Sequence, residues 1–419
     1  MIKKKGYLHK LPGQSKDYYR LLWTILVILF VISMMFQPSI AFEGAVMGLK
    51  TWWNIVFPSL LPFFIASEML MSFGVVHFMG VLLEPVMRPL FNIPGTGSFV
   101  MAVGYSSGYP IAAMVTSKLR LQGLCTRVEA ERMVSMCNNS SPLFMLVAVA
   151  VGMFHNPALG WIIAGAHYLS NLTLGFALRF YARHDTEHIP GPPPRSKGLI
   201  SHAVSQALQV QRRDNRPLGK IMGDAVRNAV TNLLNIGGFI ILFAVIIRLL
   251  TNAGCIGAMA GWLSIFLLPL GFSPEILPAL ASGFFEMAIG SQVTSETAVP
   301  LLQQVVAVGM ILAWSGLSVH AQVAGMISET DIRMTPFIIS RVAHSLLAGL
   351  YTYIIFQYYS PLEPAATATA TAVECQNLSF TYLNLQIFGF FIISLITIIS
   401  LGIILHLAGR VRLFGFRFK

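Results

Sequence analysis

Long apolar runs occupy most of this chain of 419 residues, and short polar segments separate them. A helix needs about 20 predominantly apolar residues to cross a bilayer. The longest runs lie at residues 21–36, 46–70, 159–180, 230–250, 337–356 and 383–407. This pattern predicts an all-α polytopic membrane protein with transmembrane helices near both ends of the chain.

Two further apolar stretches are interrupted by glycine, proline and polar residues. Residues 98–117 read SFVMAVGYSSGYPIAAMVTS, and residues 277–296 read LPALASGFFEMAIGSQVTSE. Broken helices at membrane depth are tolerated only where they are buried in protein or line a wet cavity. Interruptions at corresponding places of two halves indicate a transporter's binding site. We therefore predict two broken helices that hold a polar solute inside the bilayer.

The two halves of the chain match at a nearly constant spacing. Landmark residues recur 178 to 181 positions later, the pairs being Asn54 and Asn235, Gly74 and Gly254, Pro94 and Pro274, Gly104 and Gly283, and Ser140 and Ser318. A slowly changing offset is what small deletions leave in a duplicated unit. We predict one repeat at residues 45–181 and a second at residues 221–360.

Positive charge is concentrated beside the apolar runs. The net charge is +11, and 22 of the 28 Lys and Arg residues lie in residues 1–20, the loop 118–132, residues 183–227 and residues 410–419. Cytoplasmic loops of membrane proteins carry such an excess, so all four segments are placed in the cytoplasm, and nucleic acid is not an expected partner. The first helices of the two repeats then cross the membrane in opposite directions, which predicts inverted-topology repeats.

The segments outside the repeats follow the same rule. Residues 1–44 form a cytoplasmic tail and a first transmembrane helix, which is favoured over a signal peptide because the apolar core is long. Residues 182–220 form a basic cytoplasmic linker, in which positions 199–210 have the spacing of an interfacial or solvated helix. Residues 361–379 form an extracytoplasmic linker without Lys or Arg, and residues 380–419 form the last transmembrane helix and a basic tail.

The first broken segment contains Ser106, Ser107 and Gly108 within the sequence GYSSG. This sequence matches the nucleophile elbow of α/β hydrolases, but that motif requires a strand before the serine. The apolar flanks favour instead a helix break whose N–H groups and hydroxyls face a solute. The alternative is close packing of helices through small residues.

Asn138, Asn139 and Ser140 precede the next apolar run, and Ser315 and Ser318 lie in the corresponding part of the second half. A helix N-terminus that bears Asn and Ser favours a bound anion, because its N–H groups are unpaired and its dipole is positive there. Simple N-capping at the membrane surface is the alternative.

Glu286 lies between Gly283 and Gly290 in the second broken segment, and Gln292 follows. Carboxylates within membrane segments mark solute or proton paths. An anionic solute is repelled by an ionised carboxylate, so we expect Glu286 to be protonated or neutralised by a cation when the solute binds. That would couple transport to a proton or a cation. The alternative is that Glu286 only caps a hairpin amide.

Other polar residues in apolar surroundings have simpler interpretations. His167 is expected to be a helix-packing residue, and the side chains of Arg248 and Arg341 are expected to reach the interface. The four cysteines form no CxxC pair and have no His cluster at metal spacing. We expect no metal, no cofactor and no catalytic residue, and we predict that the protein is not an enzyme.

Three stretches of the first repeat resemble a known family. They read TWWNIVFPSLLPFFIASEML, FMGVLLEPVMRPLFNIPGTGSFVMAVGYSSGYP and RVEAERMVSMCNNSSPLF. They are similar to the sporulation integral membrane proteins of the YlbJ/SpoVV type, which belong to the nucleoside-recognition Gate domain families and are related to concentrative nucleoside transporters. The resemblance is closest over residues 51–181 and extends through the second repeat. Tyr109 departs from the family, where Asn often stands, so the resemblance does not imply Tyr109 as a ligand.

The resemblance implies that the protein moves dipicolinic acid from the mother cell across the outer forespore membrane. It also implies re-entrant helical hairpins, which we place at the two broken segments, while the charge pattern places both termini in the cytoplasm. Dipicolinate is a small planar dianion, which suits helix N-termini, amides and hydroxyls. The expected partners are this anionic solute, the lipid bilayer and a coupling proton or cation, and a homo-oligomer is compatible with them. Transport of a nucleoside-like solute, a non-transporting sporulation scaffold and an intramembrane hydrolase that uses Ser106 remain as alternatives.

Overall fold

The computed structural model describes residues 14–142, 144–182, 187, 189, 199–214 and 216–358. Every regular element in these residues is helical, which confirms the predicted all-α class. The predicted linker at residues 361–379 and the last transmembrane helix with its tail at 380–419 lie outside the described residues.

The first half begins with helix α1 at Gln14–Phe36, which meets α2 at an angle of 105°. Helix α2 (Pro38–Thr51) continues through a π-helical turn at Trp52–Val56 into α3 (Phe57–Ser72). The predicted helix at residues 46–70 is therefore helical throughout but begins earlier. The rest of the half consists of α4 (Val75–Phe91), α5 (Gly97–Ser107), α6 (Ile111–Leu121), α7 (Arg127–Cys137), a π-helical segment (Phe144–Met153) and α8 (Pro157–Leu178).

The linker contributes helix α9 (Leu199–Arg213), which confirms the helical spacing seen in the sequence. Helix α9 packs beside α4, and the Gln211 side chain donates a hydrogen bond of 2.9 Å to the Phe73 carbonyl. The second half consists of α10 (Leu218–Asn252), α11 (Cys255–Leu267), α12 (Leu277–Phe285), α13 (Met287–Glu296), α14 (Leu301–Trp314), α15 (Gly316–Ile327) and α16 (Met334–Tyr358).

The two halves repeat the same order of elements. Helices α4 and α11 each begin after a glycine with a left-handed backbone, Gly74 at φ 74° and Gly254 at φ 76°. Left-handed residues also follow at matching places, Asn92 at φ 54° and Gly271 at φ 88°. Each half then contains a helical hairpin, a helix with a break and a closing helix, as the predicted duplication requires.

The long helices that open the two halves pack against each other in opposite directions. A Cβ at Gly48 would lie 2.8 Å from Cα of Ile241, so the two backbones touch there. Farther along, the Trp52 indole donates a hydrogen bond of 3.0 Å to the Leu233 carbonyl, and the Asn228 amide donates one of 3.2 Å to Glu68. Contacts farther along the first helix thus fall at earlier residues of the second helix, so the two helices are antiparallel, as predicted for residues 46–70 and 230–250.

Several of the described helices are long enough to span a membrane. Three of them are long and apolar enough to cross a bilayer, Leu218–Asn252, Leu301–Ile327 and Met334–Tyr358, and the number rises to five if each of two bent helix pairs is one span. Large apolar side chains such as Leu346 and Leu350 of the helix Met334–Tyr358 are exposed. Exposed apolar surface of this extent is typical of contact with lipid.

The prediction of a loop at residues 118–132 is wrong, because most of these residues are helical. Helix α6 continues to Leu121 and α7 begins at Arg127, which leaves only residues 122–126 between them. A capping box starts α7, since the Thr126 side chain accepts from the Glu129 N–H and the Glu129 carboxylate accepts from the Thr126 N–H. The T-x-x-E spacing of this box is visible in the sequence.

Ion pairs join the α6–α7 turn to the turn between α15 and α16. Arg120 makes a bidentate pair with Asp331 at 2.8 and 2.9 Å and also contacts Glu187 at 2.7 Å. Beside it, Arg333 pairs with the buried Glu131 at 2.7 Å. These contacts tie the two halves together at the end that the charge pattern places in the cytoplasm.

Candidate functional site

The first hairpin turns at Gly108, between α5 and α6. Gly108 has a left-handed φ of 85°, a conformation that side chains other than glycine's rarely adopt. A Cβ there would lie 2.9 Å from the backbone N of Ser141. The hairpin tip is therefore packed directly on the segment that follows α7.

That segment is a break between two helical pieces. Helix α7 ends at Cys137, Asn138 adopts an extended backbone, and helical structure resumes beyond Ser141. The Ser141 hydroxyl accepts the Phe144 N–H at 3.1 Å, and the Ser140 N–H donates to Nε2 of His167 at 3.1 Å. The predicted helix break thus exists, and its N-terminal N–H groups are partly capped by its own serine.

The second hairpin turns at Glu286, between α12 and α13. Glu286 is extended and caps α13, since its Oε2 accepts the Ile289 N–H at 2.8 Å. The tip packs on the break between α14 and α15, where a Cβ at Gly316 would lie 2.9 Å from the Phe285 carbonyl. Ser315 has a left-handed φ of 71° and interrupts the apolar run there. Each hairpin tip is thus seated on the helix break of its own half.

A small cavity of about 40 Å³ lies between the two hairpin tips. Its lining residues come from both tips, the first break, the opening helices and α15, and they are Val56, Gly108, Tyr109, Ser140, Ser141, Phe144, Ile236, Ile240, Glu286, Met287, Ala288, Val319 and Gln322. A water molecule needs about 10–15 Å³ of such space. The cavity therefore has room for a few water molecules and is closed to an aromatic solute in this conformation.

The structure brings three of the predicted site residues, Gly108, Ser140 and Glu286, to this cavity. Five more are buried outside its lining, and these are Ser107, Asn138, Asn139, Ser315 and Ser318. Ser318 reaches the cavity through Gln322, whose amide donates to the Ser318 hydroxyl at 3.3 Å.

Two predicted residues lie elsewhere. The Ser106 hydroxyl donates to the Ala102 carbonyl of its own helix at 2.8 Å and does not line the cavity. Gln292 points to a larger cleft, because it lies two turns beyond the hairpin tip in α13 and its amide donates to the nearby Glu296 side chain. Ser106 and Gln292 were predicted to belong to the solute site, and the structure places neither of them at the cavity.

The larger cleft adjoins the cavity at Ala288, which lines both. It has a volume of about 460 Å³ and is walled by α2, α10 and α13. Three charged side chains line it, Glu43, Lys50 and Arg248, together with apolar residues such as Met47. The start of α13 is therefore the partition between an open cleft and the closed cavity.

Two residues beside the cavity were not predicted. Tyr109 lines it, and its hydroxyl donates to the Leu312 carbonyl at 3.0 Å. Arg341 is fully buried, which corrects the expectation that its side chain reaches the interface. The sequence signal for Arg341 was its position in an apolar run, since intramembrane arginines usually face the protein interior or a cavity.

Metal ligands are not grouped in the described residues. Among these residues, no set of three or more His, Cys, Asp and Glu side chains is arranged to hold a metal ion. The rings of the buried His167 and His344 are tilted by 55° with centroids 4.6 Å apart, and His344 contacts the His167 carbonyl at 3.0 Å. His167 thus takes part in helix packing, as its surroundings in the sequence predicted.

Comparison with known proteins gives matches over most of the chain. The family model described as nucleoside recognition, named Gate, matches residues 54–165. The sporulation integral membrane protein YlbJ of Bacillus subtilis is 46% identical over 329 residues, which cover 77% of this chain and 79% of that protein. An uncharacterised protein of Alkalihalophilus pseudofirmus is 29% identical over 127 residues, or 29% of this chain and 27% of that protein.

Solved structures of CNTnw are also similar. Its inward-facing, substrate-bound state aligns with a TM-score of 0.41 and 14% identity, covering 84% of this chain and 88% of that one. An outward-facing state of a CNTnw variant gives a TM-score of 0.39 and 13% identity, covering 83% and 87%. The sequence identity to YlbJ, extending over more than three quarters of both proteins, shows that this chain belongs to the family of sporulation integral membrane protein YlbJ.

Proposed function

We propose that this integral membrane protein is a transporter for a small organic anion, without enzymatic activity. The observation that carries the proposal is the meeting of both hairpin tips at one buried cavity, whose mostly apolar lining includes Ser140, Glu286 and Gln322. Broken helices at membrane depth are tolerated only where they are buried in protein or line a wet cavity, and these tips meet at a cavity. A scaffold needs no such cavity between its two halves.

The arrangement suits an alternating-access cycle. Each hairpin tip rests on the break of its own half, and the cavity lies where the two halves meet. Movement of the second tip would join the cavity to the cleft of about 460 Å³ across Ala288. Movement of one repeat against the other around a fixed site is the usual mechanism of transporters with inverted repeats.

Dipicolinate is the substrate that we propose. Membership in a family named for sporulation supports a solute moved during spore formation, and the outer forespore membrane is the proposed location. The chemistry is compatible, because hydroxyls and the N-terminal N–H groups of broken helices suit a planar dianion. A coupling proton or cation would act at Glu286, which lines the cavity.

A nucleoside-like solute is the second candidate. It is favoured by the match of residues 54–165 to the family model described as nucleoside recognition. Neutral nucleosides also present hydroxyl and amide groups that Ser140 and Gln322 could bind.

Uptake of radiolabelled dipicolinate into proteoliposomes tests the proposal. We expect uptake above that of protein-free liposomes and little competition by excess uridine. Ser140→Ala should lower the uptake by about tenfold, because a hydrogen bond to a charged group contributes about 1.5–3 kcal/mol. Ser328→Ala is the matched control, since this hydroxyl only donates to the Gly325 carbonyl at a surface turn. Uptake of uridine instead would support the second candidate, and uptake of neither would support a scaffold.

A further inference from the structure

Arg341 is a buried positive charge whose partners are all neutral. Its guanidinium donates to the carbonyls of Ser135 and Asn138, the latter at 2.9 Å. It also lies 3.4 Å from the Tyr109 hydroxyl and 3.4 Å from Oδ1 of Asn171. The Phe337 ring covers one side, with its centroid 5.4 Å from the guanidinium carbon.

These contacts hold Arg341 at the C-terminal end of α7. Ser135 belongs to the last turn of α7, and Asn138 is the first residue of the break. The negative end of a helix dipole and unpaired carbonyls favour a cation at this place. The position of the guanidinium is therefore fixed by backbone groups, independently of any solute.

No carboxylate that the structure describes pairs with Arg341, although the described chain forms ion pairs elsewhere. Arginine remains protonated in proteins. A buried charge without a counter-ion is strongly unfavourable, and dipoles alone compensate it only in part. Glu286, the buried carboxylate of the cavity, is held instead by the N–H group of Ile289.

Buried polar atoms without a hydrogen-bond partner surround the same place. Within the described residues they include Nε of Arg341, both polar side-chain atoms of Asn138, Oδ1 of Asn139 and the hydroxyl of Ser140. All four residues are at most 1% exposed. Ser140 also lines the cavity, so this set reaches the surface where a solute would bind. Buried groups of this kind are normally satisfied in the working state of a protein.

We propose that Arg341 is the fixed counter-charge that makes this site select an anion, with a carboxylate of the solute held at Ser140, the member of this set that lines the cavity. The inference rests on the proposed transport function and identifies the group that determines its substrate class. Tyr109 and the break separate the guanidinium from the cavity in the closed conformation. Arg341 is therefore a positioning residue that acts through the electric field and through the break.

A ratio of affinities tests this role. The dissociation constants of dipicolinate and of its neutral diamide are measured by calorimetry on purified wild type and variants. In wild type, dipicolinate should bind more tightly than the diamide. Arg341→Gln should lower that preference by about tenfold or more, because it removes a unit charge from a site of low dielectric constant. Arg341→Lys should retain most of the preference, since it keeps the charge.

Arg227→Gln is the control for loss of a positive charge, because the Arg227 side chain is 78% exposed. A purely structural role of Arg341 would weaken both ligands equally and leave the ratio unchanged, and that result would overturn the inference. If Arg341→Gln does not fold, an Arg341→Lys variant that loses the preference would overturn it as well. Wild type that binds neither compound would instead contradict the proposed function.

Discussion

Glu286 caps a helix and also lines the cavity, so the structure leaves both of its predicted roles to experiment. Its carboxylate caps α13 through the Ile289 N–H at 2.8 Å, and the same residue lines the cavity between the hairpins. Capping does not require a charge, because a neutral amide oxygen also accepts a hydrogen bond from an N–H group. The cap and the charge can therefore be separated by substitution.

Glu286→Gln should keep the hairpin folded but change the coupling of transport. The Gln oxygen can still cap Ile289, whereas it can neither take up a proton nor attract a cation. We expect dipicolinate binding to persist while flux into vesicles loses its dependence on pH or on the coupling cation. Flux measured across a pH series and with different cations checks this.

Glu286→Ala provides the control for capping. It removes the N-cap as well, which typically costs about 0.5–2 kcal/mol of stability. Thermal unfolding in detergent should therefore distinguish Ala from Gln at this position. If Glu286→Gln leaves rate, pH dependence and cation dependence unchanged, Glu286 is a cap alone.

At the scale of the elements, ion pairs connect helices of the two halves at the predicted cytoplasmic end. Hydrogen bonds from Arg120 hold the pKa of Asp331 below its usual range. The Arg127 N–H and the Arg120 guanidinium likewise lower the pKa of Glu187. A lowered pKa in the folded state means that each pair stabilises the protein above the unfolded pKa of about 4 and ceases to do so as the pH falls through the folded value.

Arg120→Gln should lower the melting temperature at pH 7 by a small amount. Asp331 is 51% exposed at its side chain, so the pair contributes at most about 1 kcal/mol. The difference from wild type should shrink between pH 7 and pH 2, because the pH then falls towards and through the folded pKa values of both carboxylates, which lie below their usual range of about 4. Melting curves of the two proteins at both pH values measure this difference. An equal difference in melting temperature at both pH values would contradict this explanation. So would a similar decrease in melting temperature for Arg212→Gln, a substitution at an exposed position.

The elements themselves were largely predictable, because breaks within apolar runs carry strong local signals. Gly108 and Pro110 identified the first hairpin, and Glu286 between two glycines identified the second. The start of α7 was not predicted, although its capping box is local, because the basic residues of this segment indicated a cytoplasmic loop. The burial of Arg341 was missed although its position in an apolar run is a signal for it. Its partners could not be predicted, because Ser135 and Asn138 are about 200 residues away in the sequence.

At the scale of the whole molecule, the two halves have the same order of helices, and equivalent positions of the two halves contact each other. Trp52 and Leu233 stand 181 positions apart, which is the spacing of the repeat, and they hydrogen-bond to each other. Contact between equivalent positions is expected beside a two-fold axis. The antiparallel opening helices are thus in agreement with an inverted repeat.

The inverted topology predicts that two positions are labelled from opposite sides of the membrane. Cys255 is exposed at the α10–α11 turn, which the charge pattern places outside. In a Cys375→Ser background, expressed in bacterial spheroplasts, Cys255 should react with a membrane-impermeant maleimide. A cysteine introduced in α9 by Arg212→Cys, with Cys255→Ser, should react only after permeabilisation. Labelling of both positions from the same side would rule out the assigned topology.

A structure with a bound solute is the most direct test of the central claim that the hairpin tips enclose the transport site. Bromodipicolinate provides a heavy-atom signal that locates the ligand without ambiguity. We predict a bromine peak between Ser140 and Glu286, in a cavity enlarged well beyond the present volume of about 40 Å³ by movement of a hairpin tip. A peak confined to the outer cleft, or hairpin tips that stay closed around an unchanged cavity while flux is measurable, would contradict it.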